Sequence, residues 1–183
     1  MDYCQYVNNL GDSNPEHKDY HDNYYGYPIK DDNELFGRLI LEINQAGLSW
    51  TTILKKASNF REAYSNFNID LIAEYNDQDR QRLITNAGII RNKLKIEAVI
   101  YNAKQVRIIQ NEFRSFRNWL DINSISIKTK EEWIKLFKKH FKFTGGEIVN
   151  EFLLSTGYLK GAHSEQCPIY QKVLKQNPIW NQK

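Results

Sequence analysis

Four residues near the two ends of the chain are of the types that hold a soft divalent metal. Cys4 and His21 lie near the start, and His163 and Cys167 near the finish. Two thiolates and two imidazoles make a complete tetrahedral set for zinc, and His163-x3-Cys167 has the short spacing of one half of such a site. Pro168 disfavours αR geometry at Cys167, so that half-site is expected on a turn. His17, four residues before His21, is a rival ligand on counting alone. Four protein ligands leave no position for water, so the site would be structural and would tie the ends of the chain together. The same residues also fit two unrelated buried thiols and two surface imidazoles.

A second constellation is Asn86-Ala87-Gly88-Ile89-Ile90-Arg91-Asn92-Lys93-Leu94-Lys95. A helix, a tight glycine-containing turn and a second helix opening with Arg91, Lys93 and Lys95 resemble a helix-hairpin-helix. Such a hairpin aims backbone N–H groups and a helix N-terminus at a phosphate, and it reads backbone without sequence specificity. An ordinary helix–helix connection with a solvated basic face fits the pattern as well.

The third is Leu41-Glu42-Ile43-Asn44-Gln45-Ala46-Gly47-Leu48-Ser49-Trp50. Glu42 lies beside the apolar stripe of its helix, next to Leu39 and Ile43, which predicts partial burial. A carboxylate near an aromatic plane suits a flat cation: the oxygens accept N–H donors and the ring face attracts positive charge. A solvated Glu42 and a core Trp50 are the plainer reading. Tyr6, Tyr20, Tyr24, Tyr25 and Tyr27 add aromatic density. No phosphate-binding glycine loop, His-Glu-x-x-His or Gly-x-Ser-x-Gly is present.

The elements that must position these residues read as helices. Asp31-Asp32-Asn33 offers an N-cap, and Leu35, Phe36, Leu39, Ile40 and Ile43 form one apolar face. Gly47 stops that helix and Ser49 caps the next, with Trp50, Ile53, Leu54 and Ala57 on one side. Ser58 starts a continuation through Tyr64. Asn68 or Asp70 starts a short helix to Tyr75, and Asn76 caps another ending near Thr85. A strong helix follows from about Asn92 to Gln110, with Ile96, Val99, Ile100, Ala103 and Val106 inward. Phe113–Leu120 and Lys130–Lys139 read as two more, with loop between them. Glu147–Ser155 is the last, ending at Gly157. No segment shows period-two alternation. The expected class is all-α, a single domain over residues 1–183 with eight to ten helices.

Composition bounds the function. Apolar residues make up 41% and aromatics 13%, which excludes intrinsic disorder. The net charge of +3 permits a nucleic-acid partner without demanding one. No apolar run approaches the roughly 20 residues of a membrane span, so no membrane partner is expected. The first residues lack a secretory pattern, and with only two cysteines a disulfide framework is not expected. A reducing cytoplasm and a monomer are the expected setting.

Taken in order, Tyr20-His21-Asp22-Asn23-Tyr24-Tyr25-Gly26, Leu41-Glu42 with Gln45-Ala46-Gly47-Leu48-Ser49-Trp50, Ala87-Gly88-Ile89-Ile90-Arg91, Phe141-Lys142-Phe143-Thr144-Gly145 and His163-x3-Cys167 resemble the DNA-3-methyladenine glycosylase I family. The resemblance runs from Cys4 to Cys167. It implies an all-helical helix-hairpin-helix repair enzyme that flips N3-methyladenine out of double-stranded DNA and releases it by hydrolysis. It implies a structural zinc on Cys4, His21, His163 and Cys167, choosing His21 over His17. It implies Glu42, Tyr20 and Trp50 at the base, with Glu42 catalytic and Tyr6 lining the pocket. DNA contacts are expected from Ala87, Gly88, Ile89, Arg91 and Lys93, with Leu48 as a wedge into the vacated stack. The chain departs from the family at Tyr6, Tyr25 and Asp121, where tryptophans stand in well-known members, and in a shorter stretch between Trp119 and Phe141. Glu112 and Asp121 lie downstream of the hairpin, where related glycosylases carry a catalytic Asp. Glu112 reads as a solvated helix-end residue. A non-catalytic, zinc-stapled DNA-binding module is the alternative.

Overall fold

Short polar side chains that accept a free backbone N–H start most of the helices. Asp31 accepts from Glu34, Ser49 from Thr52, Asn68 from Leu71, Asn92 from Lys95 and Ser115 from Asn118. Asn76 with Asp79 and Thr129 with Glu132 form reciprocal capping boxes. The computed structural model describes residues 2–127 and 129–182. The helices are α1 (Tyr3–Leu10), α2 (Pro15–Asn23), α3 (Asp32–Gln45), α4 (Trp50–Lys55), α5 (Ala57–Ala63), α6 (Ile69–Ala73), α7 (Asp77–Thr85), α8 (Lys93–Phe113), α9 (Phe116–Ser126), α10 (Lys130–His140), α11 (Gly146–Ser155) and α12 (Pro168–Lys175). No strand occurs among the described residues, so the all-α expectation holds.

The chain forms two compact units. The inner one runs from Lys30 to Val149; the outer one combines the residues up to Ile29 with those from Asn150 onward. In the inner unit α8 is the axis, with α3, α6, α7 and α9 packed on it. Its Ile96, Val99, Ile100, Ala103 and Val106 are buried, as their spacing predicts. Leu35, Phe36, Leu39, Ile40 and Ile43 of α3 are fully buried. Each such side chain contributes roughly 1.5–3 kcal/mol. Phe116, Trp119, Phe137 and Phe141 add an aromatic cluster with ring centroids 5.4–6.0 Å apart. In the outer unit α1 packs on α2, and Cys4, Cys167, Ile169 and Val173 form a small core covered by Tyr27 and Trp180.

The structure corrects several expected elements. Among the described residues there are twelve α-helices and not eight to ten, the additional ones being α1, α2 and α12 at the two ends. Apolar periodicity is a poor guide to α2, whose buried residues are His17, Tyr20 and His21. Residues 121–126 belong to α9 and not to a loop. There Asn123 Nδ2 donates to Trp119 O (2.7 Å) and Ser124 Oγ to Asp121 O (2.6 Å), so these polar side chains are accommodated inside the helix by bonding back to its own carbonyls. Ser58 lies inside α5 and caps nothing; Lys56 precedes the helix. Phe113 ends α8, and the chain turns at Arg114 with φ 72° before Ser115 caps α9. No helix among the described residues is long and apolar enough to cross a membrane.

Candidate functional site

The four metal-type residues come together. Cys4 is in the first turn of α1, His21 in the last turn of α2, His163 in the segment after α11, and Cys167 at the N-cap of α12. Cys167 has φ −71° and ψ 129°, the extended geometry that Pro168 predicts. All four are buried, and their ligand atoms lie within 4.8 Å of one another. Cys4 Sγ is 3.5 Å from His163 Nδ1; Cys167 Sγ is 3.7 Å from His21 Nε2 and 3.8 Å from His163 Nδ1. A tetrahedral zinc with bonds of about 2.0–2.3 Å has ligand–ligand edges of about 3.3–3.8 Å, the range in which these three separations fall, so the group could hold such an ion. The outer imidazole nitrogens are committed as well: His21 Nδ1 meets Asp22 Oδ1 at 2.7 Å, and His163 Nε2 meets Tyr25 O at 2.8 Å. These contacts orient each ring and fix the tautomer that leaves the inward nitrogen unprotonated. His17 is not part of the group, and its Nδ1 meets Tyr3 Oη at 2.9 Å.

Local backbone explains the placement of His163. Gly26 has φ +81°, and a Cβ there would lie 2.8 Å from Ala162 Cβ and 3.3 Å from His163 Cδ2. Its N–H donates to Ser155 O at 2.9 Å. Only glycine fits both the left-handed conformation and the close approach. Burial pushes the Cys4 thiol above its ordinary pKa and holds the His163 imidazole below its own. Both shifts favour the neutral side chains, so a metal must displace a proton from the thiols.

Tyr6 and Tyr20 belong to an aromatic group in the outer unit. Tyr20 is buried, while Tyr6 is 38% exposed. Tyr3, which the sequence reading passed over, is the hub: its ring stacks on Tyr6 at 6.1 Å and meets Tyr20 edge-on at 6.2 Å and Tyr25 at 5.1 Å. The i, i+3 spacing of Tyr3 and Tyr6 was the available signal. The Tyr25 hydroxyl donates to Glu151 at 3.2 Å.

In the inner unit, Glu42 is 4% exposed on α3, between the half-buried Leu41 and the fully buried Ile43. The solvated reading of this residue is therefore wrong. The helix ends at Gln45, Gly47 turns with φ +79°, and Leu48 is exposed at the tip. Ser49 caps α4, whose first residue is the half-buried Trp50. Lys95 was expected on the basic face of the hairpin. It is buried instead, and its Nζ donates to Asn44 O (2.8 Å) and Ala46 O (2.7 Å). Burial lowers its pKa. Lys95 thus caps the last carbonyls of the helix that carries Glu42.

The hairpin joins α7 to α8. Gly88 N–H donates to Asn86 Oδ1 at 2.8 Å, and Ile89 N–H to Asn86 O at 3.4 Å. Ala87, Arg91 and Lys93 are exposed, and the Ile89 side chain is buried as an anchor. Lys56 Nζ donates to Ala87 O (2.9 Å) and Gly88 O (3.3 Å), and Asn59 Nδ2 also donates to Gly88 O (3.3 Å). Downstream, Glu112 is exposed, and Asp121 pairs with Arg117 at 3.4 Å.

Solved structures place the fold among helical DNA glycosylases. A 3-methyladenine DNA glycosylase I structure from Staphylococcus aureus, described for 3-methyladenine recognition, superposes with a TM-score of 0.77 at 31% identity, covering 87% of this chain and 94% of that one. A variant of such an enzyme in complex with 3-methyladenine gives 0.81 at 30% identity, covering 92% and 97%. DNA-3-methyladenine glycosylase 1 of Escherichia coli is 33% identical over 93% of this chain and 97% of its own length. DNA-3-methyladenine glycosylase of Haemophilus influenzae is 34% identical over 82% and 90%. The profile of the methyladenine glycosylase family matches residues 10–134, and the chain belongs to that family.

Proposed function

We propose that this chain is a monofunctional DNA-3-methyladenine glycosylase, a hydrolase of base-excision repair acting on double-stranded DNA that contains alkylated adenine. The observation that carries the reading is the burial of Glu42, a carboxylate at 4% exposure that lies one turn after the likewise buried Arg38 on α3 and eight residues before Trp50. A buried carboxylate is tolerated when its own partners in the chain hold it, and in that low-dielectric position its charge interacts strongly with a flat cation brought to the same turn.

A base inside the duplex cannot be reached, so the nucleotide is flipped out. Methylation at N3 leaves adenine positively charged while it is bonded to the sugar. When the glycosidic bond breaks, its electron pair returns to the ring and the base leaves neutral; water adds to the sugar carbon and yields a proton. No strong acid is needed, and recognition is the main task. Glu42 accepts from the exocyclic amine and offsets the cation. Trp50 stacks on the base. The resemblance assigns Tyr20 to the base edge and Tyr6 to the pocket lining. Leu48, exposed at its turn, is the wedge, and Ala87, Gly88, Ile89, Arg91 and Lys93 are read as the phosphate-binding hairpin, with Asn86 holding the Gly88 and Ile89 N–H groups and the exposed Arg91 and Lys93 supplying the charge.

The metal of the Cys4, His21, His163 and Cys167 set is read as one structural zinc, supported by the ligand spacing and the committed outer nitrogens. The whole chain is read as one glycosylase domain, working as a monomer in the reducing cytoplasm. The test is release of free 3-methyladenine from methylated duplex DNA under single-turnover conditions. Release is expected; binding of the duplex with no free base would identify a non-catalytic module.

A further inference from the structure

We infer that Lys56, on the turn between α4 and α5, supplies a DNA phosphate contact, seated at the hairpin by the hairpin's own carbonyl oxygens. The inference rests on the hairpin being the DNA-binding element. It concerns a residue outside the hairpin sequence, 31 positions before Ala87.

The carbonyls of Ala87 and Gly88 converge on one point, 2.9 and 3.3 Å from Lys56 Nζ. Left to themselves, two converging carbonyl oxygens would present negative partial charge on an exposed turn, the wrong sign for a phosphate. The ammonium reverses that sign. It has three N–H donors, of which two are engaged here, so one remains for a phosphate oxygen. The carbonyls also hold the side chain in place beforehand. A lysine normally gives up much rotamer freedom on binding; this one has already done so.

Charge pairing separates Lys56 from other cations of the inner unit. Arg61 pairs with Glu34, Arg80 with Glu97, Arg82 with Asp79, and Arg107 with Glu74. Among the described residues no carboxylate pairs with Lys56; its side chain bonds only to the hairpin carbonyls. The exposed Arg91 and Lys93 lie on the same hairpin, so Lys56 extends one cationic surface by a residue that no hairpin pattern contains.

The test is the salt dependence of binding to a short fluorescent DNA duplex for wild type, Lys56→Met, Lys56→Arg and Arg91→Met, with thermal unfolding of each. Each lost phosphate contact should make the slope of log K against log salt shallower by about 0.9. Lys56→Met should therefore lose most at low salt, its deficit shrinking about threefold between roughly 50 and 200 mM salt, while Lys56→Arg keeps the wild-type slope. A Lys56→Met line parallel to wild type would overturn the proposal, because a merely structural staple weakens binding equally at every salt concentration. If Arg91→Met flattens the slope and Lys56→Met does not, the hairpin reading stands and the Lys56 proposal falls. If neither changes the slope, both fall. A flattened slope for Lys56→Met with an unchanged melting temperature supports the contact directly.

Discussion

Among single side chains, the proposed chemistry rests most on Glu42. Its carboxylate is nearly withdrawn from water, where its attraction to a bound cation exceeds what the same charge could exert at the surface. Glu42→Gln keeps the shape and one acceptor but removes the charge. Excision of 3-methyladenine in single turnover should slow by roughly ten- to a hundredfold, the equivalent of losing about 1.4–2.8 kcal/mol of transition-state stabilisation. Metal content and folding should be unchanged on the same sample. A rate within about threefold of wild type would remove Glu42 from the mechanism. At this scale the sequence was informative where a residue type has few alternatives. Cysteine and histidine near both ends pointed to a buried group that could hold a metal, and Glu42 beside Leu39 and Ile43 pointed to burial. It was uninformative where direction decides function. Lys95 and Lys93 are two apart on the same basic segment, yet one points inward to two carbonyls and the other to solvent.

Helices position those side chains, and the joints between them matter more than their lengths. The turn from α3 to α4 places Glu42, Leu48 and Trp50 within nine residues, and Lys95 of α8 holds its first half by the Asn44 and Ala46 carbonyls. Lys95→Met removes both donors and leaves buried carbonyls short of partners. A loss of about 1–3 kcal/mol in stability is expected, read by denaturant unfolding. Stability equal to wild type would show that the turn does not depend on that ammonium. The aliphatic faces of α3 and α8 were legible because one stripe decides the burial of a long helix. The short helices at the two ends were not. In α2 the buried residues are His17, Tyr20 and His21, which an apolar count scores poorly, while α1 and α12 bury only Cys4 and Val7, and Ile169, Tyr170 and Val173, stripes too short to mark a helix. Residues 121–126 were misread for the opposite reason, since Asn123 and Ser124 bond back into the helix they were expected to break.

At the scale of the molecule, the buried group of Cys4, His21, His163 and Cys167 brings two distant stretches of chain together inside one compact unit. Protein purified without added metal should carry one zinc per chain, and less than about half an equivalent would count against the site. Binding requires thiolates and neutral imidazoles. Because burial raises the Cys4 thiol, protons compete harder as pH falls, so zinc affinity should decline on acidification and rise with pH. Cys167→Ala should lower the melting temperature and the zinc content together, with excision reduced only through the lost fold. The same topology imposes an order on synthesis. Cys4 and His21 leave the ribosome first, but roughly 140 residues separate His21 from His163. At about 5–20 residues per second, the first pair waits about 7–30 seconds for the second. During that interval the whole inner segment has been made, and the outer unit has no way to close. The nascent chain therefore holds a half-site open to soft metals and thiol reagents until the stretch carrying His163 and Cys167 has been made.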